Sequence, residues 1–342
     1  MNSFKSILVT GGAGYVGSVL IPKLIDEGFH VKCLDRFFFG IEYLSNPKFQ
    51  NNLELIKDDI RFFDEKILDN VDVVLDLAAI SNDPAGELDP EKTFEINHQG
   101  RHRVAKLSKK MGVKRYILAS SASIYGQQEK VADENSTVNP LTAYSKANRK
   151  AEIDNLSLND DEFTSTALRF SSIYGESPRM RFDTAVNAMV LDLYKKQKIT
   201  VSGKDNKRPF VFIQDVVRAY LAVIDAPKQK IAGEIFNIGS NEQNVTMIDL
   251  ANQTIDSIGT SCEIVVEGTN DHRSYFASFD KIKNTLNFTT NYSIGDGAKE
   301  MYHGLKNKTI SDTIKTKTVE WYRHLLNNPE ASKDCMIDNN LF

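Results

Sequence analysis

The chain has 342 residues, enough for one large domain or two modest ones, and its 41% hydrophobic content is ordinary for a soluble globular protein. The 42 basic and 46 acidic residues leave a net charge of −4, which gives no reason to expect a nucleic acid or an anionic membrane as partner. The first predicted strand begins close to Met1 and leaves no room for a signal peptide, and no apolar run is long enough to span a bilayer, so we expect a cytoplasmic protein.

The chain opens with a predicted strand, a glycine turn, a helix and a second strand. The apolar, β-branched run 6–10 is typical of a buried strand. It leads into a turn with glycines at the spacing G-x-x-G-x-x-G, whose residues are Gly11, Gly14, Tyr15, Val16 and Gly17. A helical pattern then runs to Gly28, and the second strand, 31–34, ends in Asp35.

This arrangement favours a dinucleotide site over a plain tight turn. Glycines let the backbone approach a diphosphate, and the following helix presents free N–H groups and the positive end of its dipole to the anion. Asp35 stands where an acid accepts hydrogen bonds from the adenosine ribose, and its charge repels a 2′-phosphate. The sequence therefore favours NAD over NADP, although the neighbouring Arg36, itself a candidate cofactor contact, weakens that preference.

Strands and helices alternate through the first half of the chain. Further strands are predicted at 53–56, 71–79, 113–121 and 163–169, with helices at 90–111 and 144–158. The apolar loop 37–40 either lies over the cofactor or is simply packed. This alternation predicts an α/β fold with a Rossmann-type, doubly wound parallel sheet.

The regular alternation of predicted strands and helices ends after residue 170. Helices are predicted at 184–196, at 215–226, after Thr246 and around 319–322, and strands at 199–201, 211–213, 235–239 and 262–266. There is no long Gly/Ser linker, so this second region is expected to pack directly on the first as a smaller C-terminal α/β domain. Cys33, Cys262 and Cys335 show no paired spacing and the histidines are scattered, so neither a disulfide nor a metal site is expected.

Two hydroxyl groups stand out at the predicted ligand-binding edge of the sheet. Ser121 ends the fifth strand, at the edge of a parallel sheet where ligands bind, and Tyr144 begins a helix. The two can share one substrate hydroxyl, with the tyrosine as proton acceptor and a nicotinamide as hydride acceptor. From spacing alone, a capping serine and a packed tyrosine remain the alternative.

The chain resembles the extended short-chain dehydrogenase/reductase family, specifically the NAD-dependent nucleotide-sugar epimerases and dehydratases. The resemblance extends from Ile7 to about Leu305. The matching residues are the turn 10–17, Asp35, Asp59-Ile60, Leu77-Ala78-Ala79, 121–126, Tyr144, Glu152, Arg169-Phe170, Tyr174-Gly175, 208–211, Asp215-Val216, Asp271, Arg273 and Tyr275.

The resemblance implies a role for each of several residues. Asp59 and Ile60 would hold the adenine, and Leu77, Ala78 and Ala79 would pass beneath the cofactor diphosphate. Ser121 and Ser123 would bind sugar hydroxyls, and Tyr144 would be the base. The expected contacts of the nucleotide-sugar diphosphate and its surroundings are Asn187, Arg208 and Arg273, with Arg179 and Arg181 as further candidates.

One position departs from the family pattern at the expected centre of the chemistry. The family's tyrosine is followed four residues later by a lysine, and here that position is Asn148, with Glu152 fixing the register. Lys146 points about 200° away on the helix and cannot substitute. A free tyrosine, with a pKa of about 10, is only about 0.1% ionised at pH 7, and a nearby cation lowers such a pKa by about 1–3 units.

Three explanations for Asn148 stay open from the sequence: altered or slow chemistry, a second cation folded in from elsewhere, or an engineered change. The sequence predicts that Asn148→Lys raises activity or lowers the pH optimum. An unchanged pH–rate profile would instead indicate that another cation already does this work.

Further departures from the family pattern concern the type of reaction and the branch of the family to which the chain belongs. Family dehydratases carry an Asp-Glu pair where this chain has Ala122 and Ser123, which argues against a 4,6-dehydratase. The usual histidine before Leu-Ala-Ala is Asp76, and the asparagine expected after Arg169-Phe170 is Ser172, which indicates an outlying branch.

The resemblance thus implies an NAD-dependent nucleotide-sugar 4-epimerase that acts through a transient 4-keto sugar. A 4-dehydrogenase or keto-sugar reductase is the alternative, followed by a weakly catalytic NAD-binding protein. The implied domains are an NAD-binding domain, 1–170 with roughly 209–240, a nucleotide-sugar-binding domain, 171–208 and 241–330, and a tail, 331–342. A homodimer formed through the helices around 101–111 and 144–158 is also expected.

Overall fold

The computed structural model describes residues 4–338 and 340–342. The strands in these residues are β1 (Ser6–Thr10), β2 (His30–Asp35), β3 (Leu53–Lys57), β4 (Val73–Asp76), β5 (Arg115–Ser121), β6 (Thr164–Phe170), β7 (Ser172–Tyr174), β8 (Lys198–Ser202), β9 (Lys207–Phe212), β10 (Ile235–Ile238), β11 (Asn244–Thr246) and β12 (Glu263–Glu267). The helices are α1 (Gly17–Asp26), α2 (Asp83–Gly86), α3 (Pro90–Phe94), α4 (Arg101–Lys110), α5 (Ala143–Leu156), α6 (Ala185–Lys196), α7 (Ile213–Asp225), α8 (Lys228–Ile231), α9 (Met247–Ile258), α10 (Asp280–Leu286), α11 (Ile294–Asn307), α12 (Thr318–Asn327) and α13 (Pro329–Ser332). None of these helices is both long and apolar enough to cross a lipid bilayer.

Seven parallel strands form the main sheet, in the order β3-β2-β1-β4-β5-β6-β10. Alternate side chains of β1 point to opposite faces: Ile7 and Val9 pack with α1 and α7, whereas Leu8 packs on the side of α4 and α5. Because helices cover both faces of the sheet, the strand sequences are continuous apolar runs rather than alternating ones. The predicted doubly wound parallel sheet is confirmed.

A second layer of structure lies beyond β6. The strands β11, β9 and β7 form a small sheet, and β8 pairs with β12. The helices α6, α9 and α11 pack around these strands in a separate apolar cluster that also receives the ring of Tyr15 from the glycine turn. The chain returns to the main sheet through α7 and β10, so the two parts are interleaved along the sequence.

Several elements differ from the sequence expectation. β4 ends at Asp76, so residues 77–79 form a loop at the sheet edge rather than the end of a strand. The helix predicted over 90–111 is interrupted by a π-helical segment, Glu95–Gly100, between α3 and α4. The three-residue strands β7 and β11 were too short for a period-two pattern to reveal them.

The segment 331–342, expected to be a tail, packs against the main domain. The ring of Phe342 lies 5.3 Å from those of Phe38 and Tyr322, measured between centroids. Arg36 donates hydrogen bonds from Nη2 to the carbonyl oxygens of Cys335, Asn340 and Leu341. Trp321 on α12, the final helix predicted from the sequence, donates from Nε1 to the Phe38 carbonyl at 2.7 Å.

Candidate active site

A cleft of about 610 Å³ opens at the carboxyl ends of β1, β4 and β5 and extends to the second layer. This is the edge of a parallel sheet at which ligands bind. All of the predicted site residues line the cleft except Asn148 and Asn187. The sequence therefore located the cleft, and the structure shows what each side chain does there.

The glycine turn forms the floor of one half of the cleft. Gly11 has φ +67°, and a Cβ there would lie 2.7 Å from the Cα and N atoms of Ala78, so glycine is needed for β1 to approach the loop after β4. A Cβ on Gly14 would meet only the Gly11 carbonyl, at 3.1 Å, and would otherwise project into the cleft that Gly14 lines. Helix α1 begins at Gly17, which lines this space, and the N–H groups of Ser18 and Val19 in its first turn donate to the carbonyl oxygens of Gly14 and Val16.

Carboxylates at the ends of β2 and β3 mark the opposite wall. Asp35 accepts one backbone hydrogen bond on each oxygen, from Ala13 N at 2.9 Å and from Phe37 N at 2.7 Å. A carboxylate has about four lone-pair sites, so acceptor capacity remains for ribose hydroxyls. Burial raises the pKa of Asp35, while these backbone amides partly offset the shift.

Asp59 is held by two arginines at the same wall. Its carboxylate lies 2.7 Å from Arg36 Nη1 and 2.8 Å from Arg61 Nη2. Burial opposes its ionisation, but the hydrogen bonds and charge of Arg61, assisted by Arg36, lower its pKa. Arg36 is thus occupied by Asp59 and by the C-terminal segment, which removes the objection that it favours a 2′-phosphate.

These features together fit a dinucleotide. The bare glycine turn, the helix start behind it and the free acceptor capacity of Asp35 are the parts that a diphosphate and a ribose require. Phe38 and Phe39 line the same region and also pack against Tyr322. The loop 37–40 is therefore both packed and part of the cleft wall.

The predicted serine and tyrosine face each other across the cleft. Thr142 caps α5: its Oγ1 accepts from Ser145 N at 3.1 Å, and Ser145 Oγ accepts from Thr142 N at 3.0 Å. This cap fixes Tyr144 in the first turn, where its side chain lines the cleft beside Ser121. Ser121 Oγ also donates to Ser123 Oγ at 2.9 Å, so three hydroxyl groups converge on one place.

The protonation of Tyr144 depends on opposing influences. Burial and the negative charge of Asp83 raise its pKa above the ordinary value of 10.0. The neighbouring Ser121 hydroxyl and the positive charges of Arg101 and Arg181 act in the other direction without cancelling the increase. Tyr144 is therefore a neutral phenol at pH 7 in the protein alone.

Arg179 and Arg181 lie next to each other and are both buried. Arg181 Nε donates to Asp183 Oδ1 at 2.8 Å, whereas Arg181 Nη2 and Arg179 Nε have no hydrogen-bond partner among the described residues. Arg179 lies over the Phe39 ring, and burial together with the charge of Arg181 lowers its pKa to about 10. Buried guanidinium donors without partners, lining a cleft, are suited to an anionic group.

A second pair of arginines lies at the far end of the cleft. Arg208 Nη2 and Arg273 Nη2 share Asp271 Oδ2, at 3.0 and 2.6 Å. Arg273 Nη1 also donates to Asp83 on the tyrosine side. Both predicted arginines therefore reach the cleft, oriented by carboxylates that the sequence did not single out for this purpose.

Asn187 is in a different situation from the other predicted contacts. It is fully buried on α6, donates to Tyr15 OH at 3.0 Å and to the Arg181 carbonyl at 2.7 Å, and accepts from Gly175 N at 3.1 Å. Its amide is thus engaged with protein groups behind the cleft surface. In this structure it supports Tyr15 and the loop that carries Arg179 and Arg181, and any contact with substrate remains a prediction.

Asn148 also lies behind the cleft, and it meets an unpredicted cation. Arg101 at the start of α4 donates from Nη1 to Asn148 Oδ1 at 2.8 Å, and Asn148 Nδ2 donates to the Tyr144 carbonyl at 3.0 Å. Sequence reasoning missed Arg101, because an arginine on a helix is ordinarily a surface residue. It also missed Asp83 and Phe342, whose placement depends on distant parts of the chain.

Comparison with known proteins gives a consistent result. Residues 7–239 match the family model described as the NAD dependent epimerase/dehydratase family. UDP-glucuronic acid decarboxylase 1 of Arabidopsis thaliana is 29% identical over 90% of this chain and 71% of its own length. The putative UDP-glucose 4-epimerase of Methanocaldococcus jannaschii is 29% identical over 88% of this chain and 98% of its own.

A solved structure supports the fold in the same way. The UDP-glucuronic acid 4-epimerase of Bacillus cereus, in complex with UDP-glucuronic acid and NAD, superposes with a TM-score of 0.79. The identity is 24%, over 89% of this chain and 99% of that chain. At this identity, the likeness bears on the fold alone.

Proposed function

Because this chain belongs to the NAD-dependent epimerase/dehydratase family, we propose that it is a 4-epimerase of nucleotide-diphosphate sugars. NAD is the cofactor of that family, as the glycine turn and Asp35 predicted. The observation that carries the proposal is the convergence of Tyr144, Ser121 and Ser123 at the end of β5, without an acid pair beside them. The similarity to a putative UDP-glucose 4-epimerase supports the same reaction.

The proposed chemistry divides between the cofactor and the chain. Bound NAD supplies the hydride acceptor and donor for oxidation at the sugar C4 and its reversal. Ser121 holds the 4-hydroxyl by a hydrogen bond, and Tyr144 removes its proton and later returns it. Turning of the 4-keto sugar within the cleft exposes its other face, and the product is the C4 epimer without net redox change.

The arginines account for the anionic part of the substrate. We assign the sugar-nucleotide diphosphate to Arg208 and Arg273, with Arg179 and Arg181 as further contacts. Each of the four lines the cleft, so four guanidinium groups meet there in a chain that is acidic as a whole. The free donors of Arg179 and Arg181 support an anion between the two ends of the cleft.

Elimination of water is disfavoured by the same site. Ala122 and Ser123 stand where family dehydratases carry an acid pair, and Ala122 is buried against Tyr125 rather than facing the cleft. A 4-dehydrogenase or keto-sugar reductase would use the same Tyr144 and Ser121. Exchange of the cofactor during turnover distinguishes these reactions from epimerisation.

The test mixes NAD-loaded protein with UDP-, GDP-, dTDP- and CDP-sugars and follows both NADH absorbance and the sugar product by chromatography. The expected result is a C4 epimer of one sugar with no accumulation of NADH. Accumulating NADH would replace the epimerase with a dehydrogenase. As the matched control, Tyr144→Phe should bind NAD like the parent but form no product.

We further infer a homodimer that forms through α4 and α5. The support is that these helices pack on each other and that Ile153 on α5 is 52% exposed. Ile153→Glu should reduce the mass measured by light scattering from dimer to monomer, and a parent that is monomeric would refute the inference. A cytoplasmic location and a role in carbohydrate biosynthesis remain predictions, and cell fractionation tests the first.

A further inference from the structure

A buried ion pair lies directly behind the proposed catalytic tyrosine. Arg101 and Asp76 are both fully buried, with Arg101 Nε 3.5 Å from Asp76 Oδ2. Arg101 Nη2 donates to the carbonyl oxygens of Asp76 and Ala119 at 2.9 and 2.5 Å. The guanidinium thus sits between the carboxyl ends of β4 and β5, on the side that meets α5.

The ion pair connects to Tyr144 through the residue that departs from the family pattern. Arg101 Nη1 donates to Asn148 Oδ1, and Asn148 Nδ2 donates to the backbone carbonyl of Tyr144 one turn earlier on α5. Only this orientation of the amide satisfies both neighbours, because a guanidinium can only donate and a carbonyl can only accept. The asparagine therefore acts as a spacer between a cation and the helix turn that carries Tyr144.

Asp76 is itself held by neutral donors. Thr10 Oγ1 donates to its Oδ1 at 2.5 Å, and Tyr116 OH donates to its Oδ2. The carboxylate is thus stabilised by two hydroxyl groups, of which Tyr116 OH in turn accepts from Asn155 Nδ2 on α5 at 3.0 Å, while the guanidinium donates to Asn148. An arginine stays protonated throughout the accessible pH range, so this cation is permanent.

The other charges near Tyr144 do not provide an equivalent. Lys146 and Lys150 on the same helix are exposed. Arg181, on the same loop as Arg179, is paired with Asp183 as Arg101 is with Asp76, but it lowers the pKa of Tyr144 less than Arg101 does. Asp83 opposes both cations and is itself paired with Arg273, and Tyr275 lies nearby as a neutral phenol.

We propose that Arg101 is a positioning residue for Tyr144, whose buried guanidinium supplies through Asn148 the positive charge that the family's lysine supplies from the position of Asn148. This rests on the proposed function, in which Tyr144 is the base. It also answers the question left open by the sequence: the second cation is folded in from α4. Arg101, Asn148 and Asp76 together take the place of the family's single lysine.

The test measures the ionisation of Tyr144 directly, without substrate. A fluorinated tyrosine, whose phenol is more acidic, is incorporated at position 144 alone, and its titration is followed by fluorine NMR in NAD-loaded full-length protein. The variants are Arg101→Gln, Arg101→Lys and the charge relocation Arg101→Gln/Asn148→Lys. Lys146→Gln is the matched control, because it removes an exposed cation from the same helix.

The proposal predicts a distinct titration midpoint for each variant. Arg101→Gln should raise the midpoint by about 1 unit, the low end of the effect of a neighbouring charge, because the guanidinium acts from behind Asn148. Arg101→Lys and the charge relocation should return it to the parent value or below, and Lys146→Gln should leave it unchanged. A purely structural role for Arg101 would lower stability in Arg101→Gln and Arg101→Lys without moving the midpoint.

Two outcomes would overturn the proposal. One is an identical midpoint in the parent and Arg101→Gln. Arg101→Gln leaves Asp76 unpaired and could fail to fold. In that case the double variant Arg101→Gln/Asn148→Lys decides. A titration midpoint of Tyr144 that is one unit higher in this double variant than in the parent would also refute the proposal. Since no sugar is present, failure of the proposed function would instead be seen as absent turnover with the titration pattern intact.

Discussion

Substitution of Gly11 by alanine would test the geometry of the cofactor floor. Gly11 has φ +67°, and an added Cβ would lie 2.7 Å from the Ala78 backbone, whereas Gly259 has φ +71° with no atom within 4 Å of the added Cβ. The two glycines therefore share the unfavourable backbone conformation and differ in the steric contact. Gly259→Ala is the matched control, because Gly259 ends α9 and does not line the cleft.

The magnitudes follow from that difference. A left-handed alanine costs roughly 1–2 kcal/mol, and the reduced freedom of the unfolded chain returns about 0.4–1 kcal/mol, so Gly259→Ala should lose about 1 kcal/mol of unfolding free energy. Gly11→Ala adds an overpacking cost of roughly 1–3 kcal/mol and should lose about 2–4 kcal/mol. Because the strain is relieved by movement of Ala78 at the cleft, NAD affinity should fall at least about tenfold, or ~1.4 kcal/mol.

Urea denaturation measures the first quantity, and calorimetric titration of NAD into cofactor-stripped protein measures the second. Gly259→Ala should bind NAD with the affinity of the parent. Equal losses of stability in the two variants would show that the contact with Ala78 is unimportant. Parent-like NAD affinity in Gly11→Ala would refute the view that this glycine shapes the cofactor floor.

Three further predictions follow from the buried charges. Glu152→Gln should cost about 3–5 kcal/mol of unfolding free energy in urea, because it leaves Arg169, now 2.9 Å from both carboxylate oxygens, buried without its counter-charge. Asp183 has a pKa of about 2, since Arg181 outweighs the opposing effect of burial, against an ordinary value of 3.8. Its contribution of about 2 kcal/mol should be complete above that ordinary value and be lost as the pH falls towards the folded-state pKa, which acid unfolding curves would show. Asn148→Lys, expected from the sequence to raise activity or lower the pH optimum, should instead lower the melting temperature without raising turnover, because the new ammonium would adjoin a buried guanidinium.

Each of these has its own control. Arg149 pairs with the same carboxylate as Arg169 but is 32% exposed, so Arg149→Gln should cost less than about 1 kcal/mol. Asp183→Asn should flatten the acid limb of the stability curve, and an unaltered limb would contradict the assignment. A faster Asn148→Lys enzyme with the parent's stability would indicate that Arg101 does not supply the missing charge.

The parts that the sequence predicted are those encoded by nearby residues. The turn from Gly11 to Gly17 and the acid after β2 form one local unit, so their spacing, together with the strands and helix around them, predicts a dinucleotide site. Ser121 and Tyr144 were found because each sits at the end of a strongly patterned element. The family resemblance predicted which arginines bind the diphosphate of the substrate, and the structure brings Arg208 and Arg273 to the cleft.

The parts that the sequence did not predict depend on long-range packing. Arg101 lies 47 residues before Asn148, and an arginine on a helix is ordinarily a surface residue. It turns inward because the Asp76 carboxylate supplies its counter-charge and the carbonyl oxygens of Asp76 and Ala119 accept its hydrogen bonds, and no local pattern encodes that meeting. Asn187 was assigned to the substrate by resemblance, and its bonds to Tyr15, Gly175 and Arg181 depend on contacts between distant parts of the chain, so its contact with substrate stays a prediction.

The docked C-terminal segment has a practical consequence for anyone who expresses this protein. Phe342 stacks on Phe38 and lines the same cleft as Asp35, so a purification tag fused after Phe342 would begin at the mouth of the ligand site. Such a tag would tend to displace the Phe342 ring from its packing position. It would also disturb the carbonyl oxygens that accept hydrogen bonds from Arg36. Low turnover in a preparation extended beyond Phe342 would therefore reflect the extension, and the same preparation with the extension cleaved off is the control.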